Sequence, residues 1–500
     1  MRLGTSLLLG MATVPQAASE ISVQCPDGVS RCIQVGLTAP LTGRFSGQGL
    51  SAKRGAVLWA TTVNSDGGLN VAGAQKFVEL IVYDDASSSS TAARLYEQLI
   101  SVDGVDFLLG PYGTSFSTVA AAVAAEHGRV LFLGNAAGDS AYEPQPGAPA
   151  WPHIFGVVTT TSEYTSPTAR LLHEVHDAQT AAVLSRSDNP FAADTVAGAL
   201  VSFGRLDASG DATLDLVLHA TFAGDSNDES LTTGMASVCA TNADTLWFFG
   251  LQGDANALLL AMAALEGCRP KAVYISSGPT DAAWVAAANQ LVDAHGRSNL
   301  ADLYRVLSAA QWVEPAAGRG GPADDLFGDT AGFRYRMETF FSDVDTGDDI
   351  HHHAASAAAA GIALGEAISA ASQVGGVVLD AGGLPSQEAV GLAARDLDLS
   401  TFYGEVRFDN RGRNIAKGAV TTQVQSGSIV PVAPAEHAVR SFCTWRQLFM
   451  SRAASCPIMT LTCGVVWCGA VRCDVVWCGA VIRTRCTEAW RHCVSTCVCG

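Results

Sequence analysis

Basic residues are scarce in this chain: 30 Lys and Arg stand against 48 Asp and Glu, a formal net charge of −18 over 500 residues. Nucleic-acid phosphates and acidic membrane surfaces call for a basic face, so neither is an expected partner. After the N-terminal stretch, no run of about 20 apolar residues is free of charge, as a membrane-spanning helix requires. Ala354 to Ser372 comes nearest, but Glu366 interrupts it and its apolar groups are small, so it reads as a packed helix. Catalytic signatures are missing as well. There is no Gly-x-Ser-x-Gly elbow, no His-Glu-x-x-His and no Walker loop. Gly47-x-Gly49 lacks the third glycine of a dinucleotide fingerprint. No metal and no cofactor is expected. The run His351-His352-His353 does not alter this, because successive helical residues point about 100° apart and cannot converge. It reads as a helix start after Asp348-Asp349.

Cysteine is rare in the body of the chain. Only Cys25, Cys32, Cys239 and Cys268 lie in the first 440 residues, while ten crowd the last 58. In a secreted body, two disulfides are the simplest expectation, Cys25–Cys32 and Cys239–Cys268. The secreted setting is read from the N-terminus. Arg2, the apolar run Leu3 to Val14 and the small residues Ala17, Ala18 and Ser19 resemble a signal peptide spanning residues 1–19. An ordinary buried helix is the alternative. The protein is expected to be secreted or periplasmic.

What is present is alternation. From Ile33 onward short apolar runs and amphipathic segments follow one another, the pattern of a parallel sheet wound with helices. The stretch Asp106 to Ala137 organises the rest. Phe107-Leu108-Leu109 and Val130-Leu131-Phe132-Leu133 read as buried strands. Between them Ser117 is placed to cap a helix. The loops Gly110-Pro111-Tyr112-Gly113-Thr114-Ser115 and Gly134-Asn135-Ala136-Ala137 would leave the same carboxyl edge of the sheet, where open α/β folds bind ligands. Four prolines from Pro144 to Pro152, and Gly318 to Pro322, mark exposed connections. Asp84-Asp85, at a strand end, reads as a capping or solvated pair rather than an acid–base couple. The last strand-like runs, Tyr403 to Phe408, Ala419 to Gln425 and Ile429 to Val432, have no helices between them. The tail, 440–500, repeats Val-Val-Trp-Cys-Gly-Ala-Val after ten residues, with cysteines at 463, 468, 473 and 478. Zinc sites favour closer pairs, so the tail reads as irregular or disordered.

Several of these stretches carry a resemblance. Val35-Gly36-Leu37-Thr38-Ala39-Pro40-Leu41-Thr42-Gly43, Asn64-Ser65-Asp66-Gly67-Gly68-Leu69, Asp84-Asp85-Ala86-Ser87, Gly110-Pro111-Tyr112 and Thr401-Phe402-Tyr403-Gly404-Glu405-Val406-Arg407-Phe408-Asp409 stand in an order that resembles the type I periplasmic-binding fold. The leucine/isoleucine/valine-binding proteins of ABC transporters and related receptor ligand-binding regions are the relatives this suggests. The resemblance implies an α/β protein of two doubly wound parallel-sheet lobes joined by a hinge, followed by the Cys-rich irregular tail. The lobes are expected at 33–158 with 315–400 and at 159–314 with 401–435. They would close on an amino acid or amide-like small polar ligand. Thr114 and Ser115 would take its carboxylate, and Asn135, Ala136 and Ala137 would offer backbone contacts. Family members place a hydroxyl at the position of Ala137 and an acid near Gly278, neither of which this chain has; Asp281 is the nearest carboxylate. Gln48, Phe191 and Gln252 (or Leu251) fall at further contact positions. Thr114 and Ser115 could equally cap their helix, Asn135 could be a turn residue and Phe191 could be core. The implied partner is an ABC permease or a receptor signalling domain. A receptor ectodomain and an α/β enzyme using the same cleft are the alternatives.

Overall fold

The computed structural model describes residues 20–144, 147–204, 213–223, 229–265, 268, 270–293, 295–313, 321–341, 352–434, 438, 466–468 and 471–473. The expected signal segment 1–19 and most of the expected tail 440–500 lie outside the described residues.

The chain divides into two compact units. Unit 1 comprises Met1–Ser166, Ser187–Ser202 and Gln311–Ala419; unit 2 comprises Pro167–Arg186, Phe203–Ala310 and Val420–Gly500. Residues 159–166, 187–202, 311–314 and 401–419, grouped with the second lobe on sequence, fall in unit 1.

Unit 1 is built on β1 (Glu20–Val23), β2 (Ile33–Ala39), a small hairpin of β3 (Leu69–Val71) and β4 (Ala74–Lys76), then β5 (Val78–Asp84), β6 (Phe107–Leu109), β7 (Leu131–Leu133) and β8 (Ile154–Gly156). Its main sheet runs β1-β5-β2-β6-β7-β8 and is parallel except for β1, which pairs antiparallel with β5. Strands β6 and β7 are buried at every position, which is why they read as unbroken apolar runs rather than alternating ones. Helices α1 (Ser46–Ser65), α2 (Ser89–Ser101) and α3 (Thr114–Glu126) connect them. Leu95, Tyr96 and Leu99 of α2 meet Ala120 and Ala124 of α3 in one core with Leu108 and Leu131. Each large apolar side chain buried there contributes about 1.5–3 kcal/mol.

Unit 2 follows the same logic. After α4 (Ser166–His176) come β9 (Thr180–Arg186), α5 (Pro190–Gly204), which falls in unit 1 up to Ser202, then β10 (Asp215–Phe222), α6 (Glu229–Ala240), β11 (Thr245–Phe249), α7 (Gln252–Ala264), β12 (Ala272–Ile275), α8 (Ala282–Gln290), α9 (Leu300–Leu303) and β13 (Leu307–Ala310). The chain then gives unit 1 the helices α10 (Thr330–Phe340), α11 (His352–Gln373) and α12 (Gln387–Arg395) and the hairpin β14 (Asp398–Thr401)–β15 (Gly404–Arg407). It returns to unit 2 as β16 (Val420–Gln425) and β17 (Ser428–Ala433). The second sheet runs β10-β9-β11-β12-β13-β16-β17. β16 runs antiparallel to both β13 and β17; with β17 it forms a hairpin, whose short turn leaves no room for a helical crossover. Both expected disulfides are formed, Cys25–Cys32 just ahead of β2 and Cys239–Cys268 beside α6 and α7.

One local reading changes. Helix α3 begins at Thr114, not after Ser117, because Gly113 turns the chain into it three residues earlier. Ser117 sits inside the helix with its hydroxyl on the Pro111 carbonyl at 3.3 Å. Helix α11 is long and apolar enough to cross a membrane, yet 83% of its most apolar window is buried in the protein. In the tail, Val466–Cys468 (β18) and Val471–Cys473 (β19) pair antiparallel over the first copy of the repeat.

Candidate functional site

Parallel strands deliver their following loops to one edge of a sheet, where helix N-termini carry unpaired N–H groups. In unit 1 the loops after β2 and β5 are stapled by Asp84. One of its oxygens accepts from the N–H groups of Leu41 (2.9 Å), Thr42 (3.2 Å) and Ala86 (2.8 Å), the other from the Thr42 hydroxyl (2.8 Å). Burial raises the pKa of Asp84, but those bonds outweigh it and hold the group below the usual carboxylate range. Asp85 is fully buried and accepts from the Thr38 hydroxyl at 3.1 Å and the Ser87 N–H at 3.0 Å. There burial wins over the two hydrogen bonds, and with the neighbouring charge of Asp84 it pushes the pKa to about 6.

The loop from β6 to α3 is anchored at its start by the Tyr96 hydroxyl, which donates to the Leu109 carbonyl at 2.6 Å. Gly113 then adopts φ 85°, a conformation that glycine takes without the Cβ penalty. Its N–H donates to the Asn135 carbonyl at 3.0 Å, joining this loop to the one after β7. The helix that follows has no side-chain cap. The N–H groups of Thr114, Ser115 and Phe116 therefore have no intrahelical acceptor. Thr114 is buried and its Oγ1 accepts from the Gly138 N–H at 3.0 Å, which leaves its own proton to donate. Ser115 is half-buried, and its hydroxyl has no partner among the described residues.

The β7 loop is braced from behind. The Asn135 amide donates to the His353 carbonyl at 3.3 Å, and its oxygen faces the His353 ring at 2.9 Å and accepts from the Ser356 hydroxyl at 3.2 Å. The carbonyls of Ala136 and Ala137 accept from the Tyr142 hydroxyl (3.3 Å) and the Thr161 N–H (2.7 Å). Next in the chain, Gly138 allows a close approach. A Cβ there would lie 2.8 Å from Thr114 Oγ1 and 2.5 Å from a carboxylate oxygen of Asp194, on the part of α5 that belongs to unit 1. That oxygen accepts from the Ser140 hydroxyl at 2.7 Å and the Ser140 N–H at 3.1 Å. Burial raises the pKa of Asp194 against these bonds, and the charges of Asp139 and Glu143 raise it further. Phe191, one turn earlier, meets Tyr164 with ring centroids 6.3 Å apart. Gln48 is half-buried in the first turn of α1. Near it Phe45 packs on Tyr112 (5.7 Å), which in turn packs on His353 (4.9 Å).

In unit 2 the corresponding edge is internally paired. Gln252 donates to Asp281 at 3.0 Å. The other Asp281 oxygen caps α8 by accepting from the Trp284 N–H at 3.1 Å, and the Trp284 indole donates to the Gln252 carbonyl at 3.2 Å. Arg186, at the end of β9, holds Asp254 of α7 at 3.1 Å, with side chains only 13% and 3% exposed. Asp254 also accepts from the Leu251 N–H at 2.8 Å. Among the described residues, no group of three or more His, Cys, Asp or Glu could hold a metal ion.

The profile of the periplasmic binding protein family matches residues 32–428. The chain belongs to that family. Solved structures with the same fold include the branched-chain amino acid transporter substrate binding protein LivJ from Streptococcus pneumoniae, in complex with isoleucine. It is 17% identical, with a TM-score of 0.58 over 80% of this chain and 98% of that one. The leucine binding protein LivK from Thermotoga maritima is 16% identical, with a TM-score of 0.60 over 80% and 98%. A solute binding protein of an ABC transporter from R. palustris, in complex with benzoate, is 18% identical, with a TM-score of 0.59 over 82% and 98%. At these identities the likeness speaks for the fold.

In this periplasmic binding protein, then, Thr114, Ser115, Asn135, Ala136 and Ala137 lie together on two loops tied by the Gly113–Asn135 and Gly138–Thr114 bonds. Gln252 and Asp281 lie together in unit 2. Asp194 was not singled out on sequence. Nothing local marks it, since it sits within a helix and reaches the β7 loop only because Gly138 lacks a side chain.

Proposed function

We propose that this periplasmic binding protein holds a small carboxylate-bearing solute, an amino acid or amide-like molecule, at the loop edge of unit 1. It does so outside the cytoplasm and without catalysis, and it serves an ABC permease or a receptor signalling domain. One observation carries the reading. The uncapped start of α3 presents three N–H groups beside the uncommitted Ser115 hydroxyl and the Thr114 proton, a set of donors suited to a carboxylate. Ala136 and Ala137 supply close backbone, Gln48 and Phe191 flank it, and Asn135 acts as the brace that fixes the β7 loop. For Gln252 or Asp281 to take part, their mutual bond must open. That solved structures of this fold hold isoleucine and benzoate supports the ligand class.

A thermal-shift series over amino acids, amides and urea-like compounds tests this, because a ligand that binds only the folded state raises Tm. At least one amino acid or amide should stabilise the protein and be recovered unchanged. Stabilisation by none of them, or turnover of the stabilising compound, would contradict the reading.

A further inference from the structure

A groove of about 480 Å³ opens on unit 1 between the strap 377–380 and the first turns of α12. Val377, Val378, Ala389 and Leu392 line it, together with the carboxylates of Asp380 and Glu388. Val378 is 84% exposed and Leu392 58%. Val374, whose carbonyl accepts from the Val377 N–H, is 59% exposed. Single exposed aliphatic groups are ordinary, but several around one concavity mark an interaction surface.

The groove is held in shape from behind. Gln387 fixes α12 by donating to the Asp106 carbonyl and accepting from the Val130 N–H, both at 2.8 Å. These anchors lie at the amino ends of β6 and β7, the edge of the sheet opposite the loops of the candidate site. The strap is closed by the Asp380 N–H, which donates to the Leu384 carbonyl at 2.8 Å. The Leu384 N–H in turn donates to the Asp380 carboxylate at 2.9 Å. With that backbone already paired, recognition falls to side chains.

Charge selects the occupant. Neither Asp380 nor Glu388 has an ion-pair partner among the described residues, and the bases nearest the strap are engaged elsewhere. Arg31 holds Asp106 at 2.7 Å, and Lys76 donates to the Gly382 carbonyl at 2.8 Å. A second copy of this chain would bring like carboxylates together, and an acidic membrane would be repelled. A Lys or Arg beside an aliphatic face complements both halves of the groove. We propose that this groove docks a helical segment of a partner protein, aliphatic on one face and flanked there by Lys or Arg. The inference is independent of the solute-binding reading, because the groove lies at the other edge of the sheet.

The probe is a synthetic helix with leucines at i, i+3, i+4 and i+7 and flanking lysines, titrated by fluorescence anisotropy against the full chain. The wild type should bind it saturably, with hydrogen exchange slowed over residues 377–392. Leu392→Asp and Val378→Asp should each weaken binding at least about tenfold, as loss of a central anchor does. Glu388→Lys should weaken it about fivefold, the scale of an exposed ion pair. All three side chains are exposed, so Tm should be unchanged. Tyr335→Ser, at an exposed aromatic away from the groove, should bind as the wild type does. The same helix with glutamates for lysines should bind at least about tenfold more weakly. No saturable binding by the wild type, an equal loss in Tyr335→Ser, or equal affinity for the lysine and glutamate helices would overturn the inference. So would a dimer in sedimentation, or binding to phosphatidylserine vesicles, that Leu392→Asp abolishes; these would put a second copy or a membrane in the groove. Each of these results leaves solute binding standing.

Discussion

The loop edges of the two units use similar residues in opposite ways. In unit 2 the polar side chains satisfy one another: Gln252 with Asp281, Asp281 with Trp284, Arg186 with Asp254. In unit 1 the side chains behind the loops are equally well paired, but those at the front are not. The Ser115 hydroxyl, the first N–H groups of α3 and one oxygen of Asp194 have no partner among the described residues. A buried or half-buried polar group left open is unfavourable unless something arrives to fill it. The contrast supports the proposal that unit 1 offers donors to a ligand, while the edge of unit 2 is held together by its own contacts.

Breaking the pairing in unit 2 should cost stability rather than affinity. Asp254→Ala removes a nearly closed carboxylate that accepts from both the Arg186 guanidinium and the Leu251 N–H. A loss of about 3–5 kcal/mol is expected, visible in the denaturant midpoint, with ligand affinity at the edge of unit 1 little changed. In unit 1 the largest effect on stability should come through pH. Asp85 titrates at about 6 in the folded protein, against 3.8 for the ordinary group. Its contribution is therefore complete below the lower value and is lost as pH rises through the upper one, a change on the order of 3 kcal/mol. Thermal unfolding of Asp85→Asn followed from pH 4 to 7 should lack the decline seen in the wild type. Gly138→Ala tests the approach of α5 to α3. Its methyl group would press on Thr114 and Asp194, costing about 1–3 kcal/mol of packing strain. Calorimetry should also show weaker ligand binding, since both side chains would be displaced.

The parts of this molecule legible from sequence were those decided by local chemistry. Phe107–Leu109 and Leu131–Leu133 announce buried parallel strands by being apolar throughout, and the alternation around them yields the α/β fold. Elements whose identity depends on partners were harder to read. Strand β1 exists because Glu20–Val23 finds the free edge of β5, and β3–β4 and β14 are short and partly polar. The start of α3 was misjudged because Ser117 is a good capping residue, whereas the turn is actually made by Gly113. The site shows the same division. The loop that carries Thr114 and Ser115 is visible in the sequence, but the contacts of Asn135 are set by His353 and Ser356, more than two hundred residues away. Asp194 depends on the glycine opposite it, and no spacing in the sequence connects the two.

Ser115 offers the cleanest view of the central claim, because its hydroxyl has no partner among the described residues. Titration of Ser115→Ala with the best stabilising ligand from the thermal-shift series should show affinity lowered about tenfold, the worth of one hydrogen bond to a charged group, at unchanged Tm; affinity equal to that of the wild type would mean the carboxylate does not sit at the start of α3.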